Sequence, residues 1–335
     1  MLLRAIIALQ AIACIAFGAM GGNYTDIPLR EPRQKVFHIH ISKVGLSFDR
    51  QVSRNIKQRA YGAAFSNREL FLTPVERGIQ PEQNKIYFSS VMLRDPKAHV
   101  VSLFNHCVLF KPPTILSLRD PRLLLRQKPI QFKLIQSQYA RISTPTPAFK
   151  RLVKEGGIKS WLQHFVGFTN GSKVYRRNPP NLDDLGCYEP INFQSRFVVT
   201  SVDKEGNYSF YPPTTVIDRA LQAIDFVGLL EYYTESHCLF GYQVTGTLPP
   251  DCSDPCARLN YAAEHNINIT HGYIPDTSVS DLDGETLKIL NQLTIVDAHL
   301  YAAAVRRFRL SARVAGISLE PCRQQQPYRR GLHSS

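Results

Sequence analysis

Past its first twenty or so residues the chain has no apolar segment long enough to span a bilayer, which excludes a multi-pass membrane protein. It has no internal repeat, so solenoids and propellers are out, and no linker sharp enough to split it into two domains. The Walker pattern Gly-x4-Gly-Lys-Ser/Thr is absent. No second Cys or His pair stands at ligand spacing from Cys252 and Cys256, so a structural disulfide is the main reading there and zinc the alternative. Acids are scarce: 27 Asp and Glu against 40 Lys and Arg leave a net charge of +13, which calls for an acidic partner. Between Lys111 and Lys133 six basic residues face the single acid Asp120. At 335 residues and 44% hydrophobic, the chain has the apolar content for a full core, and disorder is not expected.

What is present begins with an export signal. Met1 to Arg4 form a basic start and Ala5 to Met20 an apolar run. The run is about as long as the roughly 20 residues a spanning helix needs, and it reads as a retained type II anchor, with a cleaved signal and a secreted protein as the alternative. Acceptors for N-glycosylation at Asn23, Asn170, Asn207 and Asn268 agree with export. So do Cys107, Cys187, Cys238, Cys252, Cys256 and Cys322, an even number suited to an oxidising lumen, among which 15 pairings are possible. For an exported protein the acidic partner is a polyanionic glycan or a phosphorylated nucleotide before it is a nucleic acid. The organisation that results is an anchor or signal over 1–21, a stem over 22–35, one domain over 36–320 and a polar tail over 321–335.

Within the domain, Val36–Ile41 reads as a strand, a Gly45-containing turn follows, and Phe48, Val52 and Ile56 open a helix. Ile86–Leu93 reads as a second strand that Pro96 ends, with a helix over Lys97–Phe110. Ala148–Phe168 reads as helix broken at Gly156-Gly157, Val174–Asn192 as a surface loop, Phe193–Thr200 as a strand and Ile217–Ile224 as a helix. Asp225–Glu231 reads as a buried strand. Leu290, Leu293, Val296, Leu300, Ala304 and Phe308 recur at helical spacing and predict one long C-terminal helix. Strands alternating with helices imply an α/β fold with a parallel sheet covered on both faces, and ligands then bind at the carboxyl ends of the strands, where Lys43 and Arg94 fall.

A turn between strand and helix can aim backbone N–H groups at a phosphate, with Lys43 adding charge and Ser47 a hydroxyl. Arg94 at a strand end and Ser102 two turns into the next helix can converge on a second phosphate. The plain alternative is that Arg94 and Asp95 only cap that helix. His38 and His40 lie on a strand, where packing is the commoner role, and His106 and His164 suggest no partner.

In this order and spacing the segments resemble the Golgi carbohydrate sulfotransferases of the heparan sulfate 2-O- and 6-O-sulfotransferase type. The resemblance is carried by His40-Ile41-Ser42-Lys43-Val44-Gly45-Leu46-Ser47, by Leu93-Arg94-Asp95-Pro96 with His99-Val100-Val101-Ser102, by Asn192-Phe193-Gln194-Ser195-Arg196-Phe197, by Asp225 to Glu231 and by Val296 to Tyr301. It implies a P-loop-type three-layer fold with a central parallel sheet flanked by helices. It also implies transfer of a sulfuryl group from 3′-phosphoadenosine 5′-phosphosulfate (PAPS) to a hydroxyl of a carbohydrate, without a metal. Lys43, Val44, Gly45, Leu46 and Ser47 would hold the 5′-phosphosulfate, and Arg94 with Ser102 the 3′-phosphate. Lys43 would be catalytic through the charge on the leaving oxygen. Leu46 and Ser42 stand where the family has glycine and proline, and no histidine occurs between Ile41 and Ala98, where many relatives carry a base. Glu69 and Glu76 are the acids nearest that place, and relatives with a glutamate base exist. An acidic, glycosaminoglycan-like acceptor fits the charge. Two other readings remain: a protein of the same fold that only binds acidic glycans, and a kinase with an unusual phosphate loop.

Overall fold

The computed structural model describes residues 35–39, 41, 44, 48, 66–68, 87–109, 146–166, 174–176, 188–199, 207–248, 252–257 and 277–320. The two strands expected first are present as β1 (Lys35–Ile39) and, after a short β2 (Ser66–Arg68), as β3 (Tyr87–Leu93). Pro96 opens α1 (Pro96–Leu109), where its missing N–H costs nothing, and the Asp95 carboxylate accepts from the Ala98 N–H at 2.9 Å as the cap. Then follow α2 (Pro147–Val166), β4 (Val174–Arg176), α3 (Phe193–Val199), β5 (Asn207–Ser209), α4 (Thr214–Ala223) and β6 (Phe226–Leu229). A single 3₁₀ turn, Leu230–Tyr232, leads into α5 (Tyr233–Thr245), and α6 (Gly284–Leu293) and α7 (Ile295–Val314) close the described chain.

The main sheet is wholly parallel, in the order β2-β1-β3-β6, so the fold is α/β as the alternation of elements implies. The chain leaves β1 toward β2 on one side and returns to β3 on the other. The boundary between β1 and β3 is therefore the point where the direction of winding reverses, the place at which open α/β sheets commonly hold ligands.

Side chains alternate along a strand, and the register of His38 with Ser90, Ser90 with Phe226 and Met92 with Gly228 places these residues on one face. On that face Phe240 of α5 stands edge-on to Phe226 (5.1 Å) and Phe88 (5.7 Å), and Phe48 stacks flat on Phe226 (5.8 Å). All four residues of β6 are buried, and both α5 and α7 pack against it. Gly228 is needed because a Cβ there would lie 2.3 Å from Met92 Sδ and 2.8 Å from Phe226 Cζ. Gly228→Ala is expected to cost about 1–3 kcal/mol through overpacking, read as a lower urea midpoint with an unchanged slope.

Three expectations need correction. The segment expected as a strand at Phe193–Thr200 is the helix α3, because its first N–H groups are satisfied by a carboxylate from α7, and no sheet edge pairs with it. The surface loop expected over Val174–Asn192 contains β4, paired antiparallel with β5, and ends in a buried stretch where Glu189, Ile191 and Asn192 are at most 3% exposed. The single C-terminal helix is two, α6 and α7, broken at Thr294. Its stripe nevertheless holds across the break: Leu290, Leu293, Val296, Leu300, Ala304 and Phe308 are all buried. The break in α2 falls where expected, Gly157 adopting φ 60°, a left-handed conformation that favours glycine.

The segment Asp251 to Cys256 uses its cysteines in disulfides. Cys252 pairs with Cys238 of α5, and Cys256, like Cys107 of α1, is also disulfide-bonded. Among the described residues no helix is long and apolar enough to cross a membrane, and residues 1–34 lie outside them.

Candidate functional site

At the carboxyl end of β1, the Val44 N–H donates to the Ile41 carbonyl at 3.1 Å and closes a turn. Ile41, Val44 and Phe48 are completely buried, so the chain that follows β1 is anchored in the core at three points. Phe48 sits within an aromatic cluster of His38, Phe226, Tyr233, His237 and Phe240. Val44 thus shapes the turn with its side chain and uses its amide there. Lys43, Gly45, Leu46 and Ser47, together with Glu69 and Glu76, lie outside the described residues.

At the neighbouring end of β3, Arg94 is half-buried and immediately precedes the Asp95 cap of α1. Its last sheet partner lies one residue back, where Leu93 pairs with Leu229. The Gln194 carboxamide takes over: its Oε1 accepts from the Arg94 N–H (2.9 Å) and its Nε2 donates to the Arg94 carbonyl (2.8 Å). The next amide, Asp95 N–H, donates to Glu231 Oε1 (2.8 Å), and the Tyr301 hydroxyl donates to Glu231 Oε2 (2.8 Å). Burial pulls the Arg94 guanidinium below its ordinary value, while Glu231 and Asp95 hold it up. Burial and then Glu231 push the Tyr301 hydroxyl well up, so it remains a protonated donor. Ser102, half-buried, lies on the same face of α1 as Asp95, two turns or about 11 Å along the axis.

Gln194 is held in turn. Asn192 and Asp297 cap each other's helices: Asn192 Oδ1 accepts from the Val296 and Asp297 N–H groups at the start of α7 (2.9 and 3.3 Å). Asp297 accepts from the Gln194 and Ser195 N–H groups at the start of α3 (3.2 and 2.7 Å) and from the Ser195 hydroxyl (2.6 Å). The Asn192 N–H also donates to the Leu293 carbonyl (2.9 Å), which is why the C-terminal helix stops and restarts here. Asn192, Gln194, Ser195 and Asp297 are each at most 1% exposed. A polar network this buried stabilises a structure only when its members are satisfied, as these are.

Within α3, Arg196 pairs with Glu189 at 3.3 and 3.4 Å and lies over the rings of Phe193 and Phe210. Burial outweighs Arg196 and pushes the Glu189 carboxyl up to about 7 from an ordinary 4.5. A carboxyl whose folded value is raised contributes stability fully present below the unfolded value and lost as pH rises through the folded one. Between pH 4.5 and 7 the protein is therefore expected to lose at most about 3 kcal/mol through this group. Urea midpoints at pH 5 and 7.5 test it: the fall should be smaller in Glu189→Gln, and an equal fall in both would refute it.

Of the histidines singled out in the sequence, His40 lies outside the described residues and the other three are in packed surroundings. His38 Nδ1 hydrogen-bonds to Ser90 Oγ (2.9 Å) in the core, His106 lies against Tyr188, and His164 stands edge-on to Phe165. Gln194, Glu231, Asp297 and Tyr301 belong to the candidate site and were not singled out by pattern reading. For Asp297 the signal was an acid set between Val296 and Leu300 of the apolar stripe, whereas Gln194 stands among Asn192, Ser195 and Arg196 and gave no such signal.

No family model, curated protein or solved structure matches the chain. The fold and the site define an α/β domain with a parallel main sheet whose polar residues converge at the carboxyl end of β3.

Proposed function

We propose that the protein is a carbohydrate O-sulfotransferase that uses PAPS, with a P-loop-type fold and its domain in the lumen of the Golgi. The observation that carries the reading is convergence. The segments resembling sulfotransferases at Asn192–Phe197, Asp225–Glu231 and Val296–Tyr301 contribute Gln194, Glu231 and Tyr301, and all three meet around the Arg94–Asp95 turn. Motifs spread over two hundred residues by chance have no reason to share one turn.

The described residues suit a phosphate. A half-buried guanidinium kept charged by two acids stands beside the start of α1, and the Ser102 hydroxyl has no hydrogen-bond partner among the described residues. In this reading Arg94 and Ser102 hold the 3′-phosphate, and Lys43, Gly45 and Ser47 hold the 5′-phosphosulfate. PAPS, when bound, supplies a sulfuryl group on a good leaving group. Lys43 neutralises charge at the departing oxygen, and Glu69 or Glu76 accepts the proton of the acceptor hydroxyl. The excess of basic residues supports an acidic polysaccharide as acceptor.

Calorimetric titration with adenosine 3′,5′-bisphosphate, the product left after transfer, tests the reading without knowledge of the acceptor. Micromolar binding is expected, weakened at least about tenfold by Lys43→Ala and by Arg94→Ala, each about 1.4 kcal/mol or more. A folded wild-type protein that does not bind would leave the glycan-binding reading in its place.

A further inference from the structure

We propose that Gln194 is a positioning residue: it fixes the direction in which the Arg94 side chain leaves the end of β3, and with it the preference of the site for a nucleotide carrying a 3′-phosphate. The inference rests on the nucleotide reading above and adds a residue to it.

The argument starts from the backbone. A strand that outruns its neighbours leaves a peptide with an unpaired N–H and C=O, and both must find partners or water. β3 does this at Arg94, one residue past its pairing with β6. Gln194 supplies an acceptor and a donor from one planar amide, at 2.9 and 2.8 Å, and so continues the ladder by one position with a side chain. Glu231 then holds the Asp95 N–H at 2.8 Å. The peptides on either side of the Arg94 Cα are therefore both held, which fixes its φ and ψ and hence the direction of its Cα–Cβ bond.

The holders are themselves held. Gln194 is 1% exposed and its own amide is held by Asp297, while Glu231 is braced by the Tyr301 hydroxyl. A guanidinium recognises a phosphate through a fork of donors, so its affinity depends on direction as well as charge. No smaller set of groups does what the carboxamide does here. Glutamate accepts but does not donate when ionised, asparagine is one methylene shorter, and methionine fills the same volume with neither function.

The test compares Gln194→Met and Gln194→Glu with the wild type in two titrations, one with adenosine 3′,5′-bisphosphate and one with adenosine 5′-monophosphate, which lacks the 3′-phosphate. The wild type is expected to prefer the bisphosphate. In Gln194→Met that preference should fall about tenfold with the monophosphate affinity unchanged, and Gln194→Glu should lie between. If both affinities fall in parallel, Gln194 serves only the stability of the fold and the proposal is overturned. Amide hydrogen exchange at Arg94 and Asp95 supplies a ligand-free reading. Slow exchange in the wild type that quickens in Gln194→Met upholds the positioning role, and unchanged exchange overturns it. A wild type that binds neither nucleotide sinks the sulfotransferase reading, and exchange then decides the role of Gln194 alone.

Discussion

Replacing Asp297 with alanine is expected to remove about 3–5 kcal/mol of stability, a large share of the roughly 5–15 kcal/mol that holds a domain folded. The carboxylate is completely buried and accepts three hydrogen bonds at 2.6 to 3.2 Å. Two of the donors are the N–H groups of Gln194 and Ser195, at the amino end of the short helix α3. With the acceptor gone, those donors stay buried without partners, and each such group costs about 1–3 kcal/mol. Burial pushes the carboxyl of Asp297 up, and the three donors oppose that shift. Asp297→Asn should therefore recover part of the loss, since one amide oxygen can still accept from Ser195. Urea unfolding of the three proteins measures it. A loss below about 1 kcal/mol in the alanine variant would show that α3 does not depend on the cap.

Phe48→Ala is expected to cost a similar amount, about 3–5 kcal/mol, and, under the sulfotransferase proposal, to weaken nucleotide binding as well. The ring is fully buried, with five aromatic neighbours at centroid distances of 5.7 to 6.1 Å, so its removal leaves a cavity that packed rings cannot close. Phe48 is also the last of the three anchors that follow β1. Its loss frees the end of the segment that contains Lys43 and Ser47, and affinity for adenosine 3′,5′-bisphosphate should fall at temperatures where the variant is still folded. Phe48→Leu, which restores most of the volume, should regain stability first and affinity with it. An alanine variant with wild-type affinity would detach that anchor from the site.

How far the sequence could be read depends on where each element gets its stability. β1, β3, α1 and β6 take theirs from local pattern: β-prone runs, Pro96 after Asp95, and a buried strand around Gly228. Each lies within a residue or two of its expected place. α3 does not. Phe193, Phe197, Val198 and Val199 have the composition of a strand, and the residue that makes the segment helical is Asp297, about a hundred positions away. The break at Thr294 is hidden for the same reason, because Asn192 ends one helix and begins the next from outside while the apolar stripe runs on undisturbed. Arg94 and Ser102 were legible as candidate ligands from their types and spacing. Gln194 was not, since its role is a contact with the backbone of a residue 100 positions earlier.

The turn at Arg94 also has a place in the history of the chain. Its partners Gln194 and Glu231, and the Tyr301 that braces Glu231, arrive 100, 136 and about 200 residues after it during synthesis. Contacts of such separation close long loops and form late. A nascent chain therefore carries β3 and α1 well before it carries the residues that finish their junction. A chain that ends before Tyr301 has every strand of the main sheet but leaves Glu231, and with it the turn at Arg94, without its brace.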